Sequence, residues 1–396
     1  MDFLTGIAPL EELELEDQRV MVRADLDVLV DADTGGVLDD APVRAALATF
    51  QHVVGRGGRL VIAAHRGRPE GKPSRALSLE PVGSRLAELT GWEVLLPDEC
   101  VGDMARKLVG ELRSGQVCLL ENLRFDPGEE QDDEVFVRDL GRLADVFIAD
   151  AFGVLHLAHA SVVGLPKLLR HRTAGLALRR ELEAFARLDE PSTLALLGGA
   201  FAAGVPLAEA LLRGGVPLLV GGPLGSTLLA AQGQRLGASA VDNAALARAR
   251  TLLEHARQCR VELGLPVDFV IGPARGPGSP GVAPAGAVPP DHSVLDVGPR
   301  TVAEWRSRLV ESKSVLLNGH LEMTPGSAHP EGTLGLLAAL AEGPAFSLVG
   351  PDSAAGLGSL GLESARFGHV TRGAEAATEL LLGKRLPGLE QLRSQR

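Results

Sequence analysis

The sequence is poor in aromatic residues and has no excess of basic ones. Phenylalanine and tryptophan make up 3 % of the 396 residues, and tyrosine is absent. Because proteins that bind single-stranded nucleic acid stack the bases on aromatic rings, no such platform is expected. Lysine and arginine number 39 against 51 aspartates and glutamates, a formal net charge of −12. This balance opposes binding to nucleic acid or to an anionic membrane, so neither partner is predicted.

Cysteine is scarce as well, and a basic leader is missing. Cys100, Cys118 and Cys259 are widely spaced and odd in number, which matches neither a disulfide framework nor a CxxC motif. The first residues contain no basic segment followed by an apolar run, so no signal peptide is predicted. With 45 % hydrophobic and 23 % charged residues, the composition predicts a folded, soluble and cytoplasmic protein.

One uncharged stretch, residues 214–234, is long enough to span a bilayer. It contains two Gly-Gly pairs and two prolines, and its apolar runs are only four or five residues long. Runs of that length are typical of buried strands in a parallel sheet. Short strands are therefore predicted here in place of a membrane helix.

Short apolar runs alternate with amphipathic segments along the chain, which indicates parallel α/β sheets covered by helices on both faces. The predicted strands are 20–23, 60–64, 93–96, 117–120, 146–149, 194–197, 217–220, 267–271, 314–317 and 347–349. So many strands would be unusual in one sheet, so the chain is divided at residues 174–188, a predicted helix. Residues 272–290 are rich in glycine and proline and are predicted to be a surface excursion.

Polar residues follow four of the predicted strands in the first half, at the edge where open α/β sheets bind ligands. His65, Arg68, Arg124 and His159 are predicted to converge there as cations and donors. Arginine binds phosphate and carboxylate groups bidentately, so the set suits a phosphorylated or carboxylated small molecule. For each arginine taken alone, the alternative is a salt bridge to a neighbouring carboxylate.

Two further patterns do not predict a site. His156 and His159 are three residues apart, but no third ligand accompanies them, so a metal ion is not predicted. Residues 276–281, GPGSPG, match GxGxxG literally, but no helical pattern follows and their prolines lack the N–H groups that bind phosphate.

The four strand ends, in their order, resemble the phosphoglycerate kinase family. RADLDVL, DDAPVRAAL, AHRGRPEGKPS, ENLRFDPGEE and DAFGVLHLAHAS are similar to the family's RxDFNVP, the arginine after DD, SHLGRP, EN-x-RF with GEE, and DAFG-x-x-HRAHAS. Further similarity runs through LALLGGA, LLVGG, LPVDFVIG, LDVGPRT, LLNG, DSAAG and GKRLPG. The resemblance therefore covers nearly all of the chain.

This resemblance implies two Rossmann-like, parallel-sheet α/β domains that face a cleft and are joined by a hinge helix. The implied divisions are an N-terminal domain at 1–173, the interdomain helix at 174–188, a C-terminal domain at 189–385 and a segment at 386–396 that returns to the N-terminal domain. It also implies a monomer that performs the glycolytic, reversible phosphoryl transfer between ATP and 3-phosphoglycerate, with Mg²⁺ bound to ATP or ADP.

Site residues follow from the same resemblance. The 3-phosphoglycerate-type site of the N-terminal domain is expected to use Asp25, Asp27, His65, Arg68, Arg124 and His159. The nucleotide-type site of the C-terminal domain is expected to use Gly198, Gly199, Asn318, Asp352 and Ser353, with Asp352 as the contact to the Mg-nucleotide.

The sequence departs from the family at the residues that carry charge. Pro42 stands where the family has its catalytic arginine, and Phe201 and Val205 stand where it has two lysines. No lysine occurs between residues 168 and 312. In the acid site, Asp27 replaces an asparagine and Leu157 an arginine. Because phosphoryl transfer depends on positioning and charge stabilisation, kinase activity is predicted to be strongly impaired or lost while acid binding persists.

Two alternatives remain open for this divergent relative. The first is an active phosphoglycerate kinase whose nucleotide site is rearranged around new residues at Arg66, Arg372 and His320, although both arginines also suit solvated surface positions. The second is a non-catalytic binding or interaction protein that keeps the kinase fold. MgADP or MgATP binding would distinguish the first alternative, and a stoichiometric protein partner the second.

Overall fold

The chain forms two compact units in a computed structural model of the full sequence. The structure describes residues 2–239, 241–275, 278–323, 328–358 and 360–393, without the side chains of Pro351, Asp352 and Ala355. The N-terminal unit contains Asp2–Glu183 and the C-terminal segment that starts at Arg385, and the C-terminal unit contains Ala184–Lys384. No helix in these described ranges is long and apolar enough to cross a membrane.

The N-terminal unit is built on a six-stranded parallel sheet. Its strands are β1 (Arg19–Ala24), β2 (Arg59–Ala63), β3 (Val94–Leu95), β4 (Val117–Leu119), β5 (Val146–Asp150) and β6 (His171–Ala174). They lie in the order β3-β4-β2-β1-β5-β6. The inner strands are buried almost throughout because helices cover both faces, which explains why they read as continuous apolar runs.

Amphipathic helices cover this sheet with apolar stripes. They are α1 (Ala41–Gly55), α2 (Glu80–Thr90), α3 (Asp103–Glu111), α4 (Pro127–Gln131), α5 (Glu134–Gly141), α6 (Leu165–Leu168) and α7 (Leu176–Ala186). In α2, Val82 and Leu86 are one turn apart and pack into a core that also contains Phe50 and Ile62. The helix α7 crosses the division between the two units.

Two sheets form the C-terminal unit. Their strands are β7 (Thr193–Leu197), β8 (Leu218–Val220), β9 (Leu263–Gly264), β10 (Asp268–Pro273), β11 (Gly281–Pro284), β12 (His292–Val297), β13 (Ser314–Asn318), β14 (Phe346–Val349) and β15 (His369–Val370). The larger sheet is parallel, with six strands in the order β15-β14-β13-β7-β8-β9. The smaller sheet is antiparallel, with three strands in the order β11-β10-β12.

The helices of the C-terminal unit follow its strands in βα order. They are α8 (Phe201–Arg213), α9 (Gly222–Ala231), α10 (Leu246–Cys259), α11 (Pro299–Glu311), α12 (Glu331–Glu342), α13 (Pro351–Leu357) and α14 (Ala374–Leu381). Trp305 of α11 is buried in the core of this unit beside Val315 and Leu336. A last helix, α15 (Pro387–Leu392), belongs to the N-terminal unit.

The predicted fold class, parallel-sheet α/β in two parts, is confirmed, and each predicted strand overlaps an observed one. Two local predictions need correction. Residues 214–234 form one strand and the helix α9 where strands alone were expected, because a run that is buried all round has no visible helical stripe. The region 272–290 is not wholly irregular, since it contributes β11, an edge strand that pairs with β10.

Candidate functional site

Four neighbouring strands of the N-terminal unit end at one edge of the sheet. The strands β4, β2, β1 and β5 are adjacent and parallel, so the loops after them emerge on the same side. These loops carry the polar residues that were predicted to form a ligand site. Ligands of open α/β sheets bind at such an edge, so these loops form a candidate acid site.

Arg23 lies at the centre of a buried hydrogen-bond network although it belongs to an otherwise apolar strand. Its side chain is 1 % exposed. Its Nε donates to Ser161 Oγ at 2.9 Å, and one terminal nitrogen donates to the Ala24 carbonyl at 2.6 Å. The other terminal nitrogen lies 3.1 Å from His65 Nδ1. Because a guanidinium only donates, His65 Nδ1 must accept, which leaves the imidazole proton on Nε2.

The two histidines of the cluster are neutral at neutral pH. Burial, followed by the charges of Arg23 and Arg124, holds the pKa of His65 well below its usual value. Burial also lowers the pKa of His159 to about 4, with the same two arginines adding to the effect. His65 and His159 therefore act as hydrogen-bonding groups, and the expectation that they contribute positive charge is corrected.

Arg124 is positioned by the loop that contains it. Asn122 accepts the backbone N–H of Arg124 at 3.1 Å and donates to the Arg66 carbonyl at 2.7 Å, which ties two strand ends together. One terminal nitrogen of Arg124 donates to the Gly67 carbonyl at 2.9 Å. Its buried Nε has no hydrogen-bond partner within the described part of the chain, and Glu130 Oε1 lies 3.5 Å away. This guanidinium can therefore donate a hydrogen bond to an anionic ligand.

Asp25 and Asp27 bring negative charge into the same cluster. Asp27 Oδ1 accepts the N–H of Gly67 at 2.9 Å, and its Oδ2 lies 3.9 Å from His65 Nε2. The Asp25 carboxylate accepts the backbone N–H of Asp27. Burial raises the pKa of Asp25, Arg23 opposes that shift, and the charge of Asp27 adds to it.

Sequence reasoning missed three members of this network: Arg23, Glu129 and Ser161. Glu129 is fully buried and accepts both the N–H of Ser161, at 2.9 Å, and its hydroxyl, at 2.6 Å. Burial raises the pKa of Glu129, while Arg23 and the bonds from Ser161 lower it. The available signal was the arginine inside the apolar run RVMVRA, because a buried charge requires a partner.

Three further positions of the N-terminal unit were compared with the family's basic residues: Arg68, Pro42 and Arg44. Arg68 is exposed. Pro42 sits in the first turn of α1, where proline fits but supplies no charge. Arg44 binds Asp40 at 2.8 Å, and Asp40 also binds Arg85.

Arg66 is not the solvated surface residue that one interpretation of the sequence expected. It is 7 % exposed, and it donates to the carbonyls of Val28, at 3.1 Å, and Ser78, at 2.9 Å. The side chain thus links two loops of the N-terminal unit. Because its donors are used in this way, Arg66 is a structural residue.

A cleft of about 410 Å³ in the C-terminal unit lies where the nucleotide-type site was expected. Its described lining contains no lysine or arginine, and consists of Leu197, Gly198, Gly199, Ala200, Ala203, Gly204, Leu207, Asn318, Gly319 and His320. The N–H of Gly198 donates to the Asn318 carbonyl at 2.9 Å, and that of Gly199 to the His320 carbonyl at 2.7 Å. The N–H groups of both predicted glycines are therefore hydrogen-bonded within the protein.

The helix that follows these glycines turns its key side chains inward. Phe201 is 4 % exposed and Val205 is fully buried, and neither residue lines the cleft. The exposed positions of the first turn are Ala202 and Ala203, of which Ala203 lines the cleft. Ser353, another predicted residue, donates its hydroxyl to the Gly319 carbonyl at 3.0 Å.

The described lining of the cleft lacks the cationic side chains that would hold the phosphates of a Mg-nucleotide. The phosphates of ATP or ADP need cationic side chains or unoccupied N–H groups, and this lining has neither lysine nor arginine. The side chain of Asp352, the predicted magnesium contact, and residues 324–327 lie outside the described part of the chain. Within that part, no group of three histidine, cysteine or acidic side chains is arranged to hold a metal ion.

Comparison with known proteins agrees with the geometry of the fold. The family model described as phosphoglycerate kinase matches residues 10–384. Phosphoglycerate kinase of Anaeromyxobacter dehalogenans is 40 % identical over 393 residues, which cover 97 % of this chain and 99 % of that protein. Phosphoglycerate kinase of Salinispora tropica is 40 % identical over 391 residues, 96 % of this chain and 97 % of that one.

A solved structure leads to the same assignment. The structure of phosphoglycerate kinase from Coxiella burnetii superposes with a TM-score of 0.86 at 30 % sequence identity, covering 98 % of each chain. The similarity therefore extends over both compact units. With the family model and the relatives, it confirms the resemblance inferred from the strand-end motifs: the chain belongs to the phosphoglycerate kinase family.

Proposed function

We propose that this protein binds a phosphorylated carboxylic acid in its N-terminal unit, and that its phosphoryl transfer between ATP and 3-phosphoglycerate is strongly impaired. Relatives named phosphoglycerate kinase support the view that this transfer is the ancestral reaction. The observation that carries the proposal is the cleft of the C-terminal unit, whose described lining has no lysine or arginine. On this proposal the N-terminal unit retains its ligand and the C-terminal unit has lost its own.

Impairment follows from the charge that the reaction must balance. A transferring phosphoryl group and its nucleotide carry several negative charges, and the protein contributes mainly position and electrostatic stabilisation. Loss of one preorganised donor costs roughly 10²–10³ in rate in well-studied enzymes. Phe201, Val205 and Pro42 each replace a cation of the family motif, and the first two are buried. A combined loss of about 10⁴ or more is therefore expected, although such effects do not add strictly.

Acid binding is supported by the donors that remain in the N-terminal unit. Arg124 has a buried Nε without a hydrogen-bond partner in the described chain, and His65 presents its Nε2 proton. His159 Nδ1 is also buried without such a partner there. Buried polar groups of this kind are costly unless a ligand or water satisfies them.

The first experiment is a coupled turnover assay with MgATP and 3-phosphoglycerate. An active phosphoglycerate kinase is assayed in parallel at the same enzyme concentration. The expected turnover of this protein is lower by about 10⁴ or more. Turnover within tenfold of the active kinase would overturn the proposal and favour the alternative of a rearranged nucleotide site, supported by the 40 % identity to named kinases.

A gain of charge tests the reason for the impairment. Lysines at Phe201 and Val205 would be buried, so Ala203→Lys is the better variant because Ala203 is exposed and lines the cleft. Its control is Ala202→Lys, exposed on the same turn but outside the lining. MgADP is expected to raise the unfolding midpoint of Ala203→Lys more than that of Ala202→Lys or the wild type. Equal shifts in all three proteins would contradict the charge argument.

Acid binding is measured directly by isothermal titration with 3-phosphoglycerate and with inorganic phosphate. Arg124→Ala is expected to weaken binding by at least tenfold, because it removes a charged donor. The matched control is Arg113→Ala, an exposed arginine of the same unit. No heat with any phosphorylated acid would remove this half of the proposal.

A further inference from the structure

Arg23 and His65 are joined by a hydrogen bond that can run in only one direction. One terminal nitrogen of Arg23 lies 3.1 Å from His65 Nδ1. A guanidinium has N–H donors and no acceptor, and it keeps its proton across the whole pH range of a folded protein. Nδ1 therefore has to accept from Arg23 at every pH at which this contact persists. The proton of the neutral imidazole is confined to Nε2 for as long as Arg23 faces the ring.

Arg23 is held toward His65 by partners from distant parts of the chain. Its Nε donates to Ser161 Oγ at 2.9 Å, and its other terminal nitrogen donates to the Ala24 carbonyl at 2.6 Å. The Ser161 hydroxyl donates in turn to Glu129 Oε1 at 2.6 Å. Arg23 is 1 % exposed and Glu129 is 0 % exposed, so the buried network contains one charge of each sign. Because all three nitrogens of Arg23 are bonded within the protein, the residue acts on a ligand only through His65.

The charges around His65 oppose a second proton on its ring. Protonation of Nδ1 would set its N–H against an N–H of Arg23 across 3.1 Å. Arg124, from the loop after β4, adds a positive charge, and so does His159, from the loop after β5, whenever it is protonated. Asp27 has the opposite sign, but its Oδ2 is 3.9 Å from Nε2 and its carboxylate is partly exposed to water. His65 is therefore a neutral donor in the pH range where an ordinary histidine becomes charged.

We propose that Arg23 is a positioning residue that keeps His65 in the Nε2–H tautomer, so that the acid site retains an uncharged hydrogen-bond donor whose protonation does not change near neutral pH. The functional part of this inference rests on the proposed acid binding, in which Nε2–H donates to an anionic oxygen of the ligand. Arg124 supplies charge to the same ligand, whereas His65 supplies a single hydrogen in a fixed direction. A hydrogen bond to a charged acceptor contributes about tenfold or more to affinity.

The tautomer is measured first, by ¹⁵N NMR of the histidine side chains in the full-length wild type without ligand. The chain has ten histidines, and His65→Gln identifies the resonances of His65 by their disappearance. The shifts are expected to show an unprotonated Nδ1 and a protonated Nε2 at every pH from about 5 to about 8, a range in which free histidine in the same buffer changes its shifts. A mixture of tautomers, or a change to imidazolium within this range, would overturn the proposal.

Two replacements of His65 test which of its nitrogens matters to the ligand. Glutamine places an amide nitrogen near the position of Nε2, so His65→Gln keeps the donor that faces the ligand. Asparagine places its amide near the position of Nδ1, so His65→Asn keeps only an oxygen that can accept from Arg23. In isothermal titration with 3-phosphoglycerate, His65→Gln is expected to bind within about threefold of the wild type, and His65→Asn about tenfold or more weakly. A merely structural role of His65 predicts the reverse order, which would contradict the proposal, as would equal affinities.

The pH dependence of binding tests Arg23 itself. Arg23→Met alone would leave Glu129 as an unpaired buried charge, so it is combined with Glu129→Gln. Without Arg23, His65 can gain a proton at low pH and then attracts the anionic ligand more strongly. Between about pH 8 and about pH 6, the affinity of this double variant for 3-phosphoglycerate is expected to rise about threefold or more beyond the rise in the wild type, which reports the ligand's own phosphate.

A third replacement assigns that pH dependence to one side chain. Adding His65→Gln to the double variant is expected to abolish the extra rise in affinity at low pH. Identical pH profiles for the wild type and the double variant would count against a role for Arg23. If the double variant does not fold, the NMR shifts and the two replacements of His65 decide the proposal. If 3-phosphoglycerate does not bind the wild type, the proposed acid binding fails, and the NMR shifts alone decide whether Arg23 fixes the tautomer.

Discussion

Asp150, a charged residue inside the N-terminal unit, is held by partners from another element of the fold. Asp150, the last residue of β5, is 4 % exposed, and its Oδ1 accepts the N–H groups of Ala177 and Leu178 in the first turn of α7. Burial raises the pKa of Asp150 to about 7, while the hydrogen bonds oppose the shift. The residue thus joins a strand to a helix and also makes the stability of the unit depend on pH.

The sign of that dependence follows from proton binding. Between about pH 4 and about pH 7 the folded protein holds a proton on Asp150 that the unfolded chain releases, so its contribution to stability falls as the pH rises. Asp150→Asn keeps an oxygen acceptor but cannot ionise. Its free energy of unfolding is therefore expected to rise relative to the wild type across this window, by up to about 1.4 kcal/mol per pH unit.

This prediction is checked by urea unfolding at a series of pH values. The chain has two tryptophans and no tyrosine, and Trp92 lies in the N-terminal unit while Trp305 lies in the C-terminal unit. In a Trp305→Phe background, fluorescence reports the N-terminal unit alone. Asp98→Asn, an exposed site in the same unit, is the control. Parallel stability curves for Asp150→Asn and the wild type would contradict the prediction.

At the scale of elements, three turns of the C-terminal unit are packed backbone against backbone. They are the turn from β7 to α8, the turn from β8 to α9, and the loop that follows β13. A Cβ on Gly198 would lie 2.0 Å from the His320 carbonyl oxygen, and one on Gly222 would lie 2.3 Å from the same atom. Packing is therefore sufficient to require glycine at Gly198 and Gly222, which belong to segments that resemble a phosphate-binding motif.

Gly198→Ala is expected to destabilise the C-terminal unit by about 3 kcal/mol or more, because backbone atoms cannot move aside as a flexible side chain can. Gly358→Ala is the control, since a Cβ there meets nothing within 4 Å. Both variants are unfolded by urea in a Trp92→Phe background, where Trp305 reports the C-terminal unit. A loss of less than about 1 kcal/mol in Gly198→Ala would show that the turns can separate.

At the scale of the whole molecule, the C-terminal helix completes the unit that the N-terminus begins. Arg172 of β6 donates to the Gln391 carbonyl at 2.6 Å. Leu389 and Leu392 of α15 are each 2 % exposed. The first unit along the chain therefore depends on residues that come last in the sequence.

Leu389→Ala is expected to destabilise the N-terminal unit by about 3 kcal/mol, because a buried leucine side chain is lost and a cavity remains. The transition reported by Trp92 should shift to lower urea, and that reported by Trp305 should not. Leu38→Ala, at a side chain that is 65 % exposed, is the control. An equal shift of both transitions would disprove the assignment of α15 to one unit.

The sequence predicted the elements with a strong local signal and missed those without one. Runs such as 20–23 and 146–149 overlap β1 and β5, because strands buried on both faces are apolar throughout. The strands β6 and β12 were missed, since HRTA and HSVLDV mix polar and apolar residues. Those strands owe their conformation to pairing with β5 and β10 rather than to their own composition.

By itself, the sequence determined the family and the parallel α/β class, because motifs and apolar runs are local properties of the chain. Only the tertiary structure decided that Arg23 anchors a buried network, that His65 and His159 are neutral, and that Arg66 links two loops. It also decided that the N–H groups of Gly198 and Gly199 bond within the protein. The physical reason is that burial, tautomer and hydrogen-bond partner depend on residues brought together from distant parts of the chain.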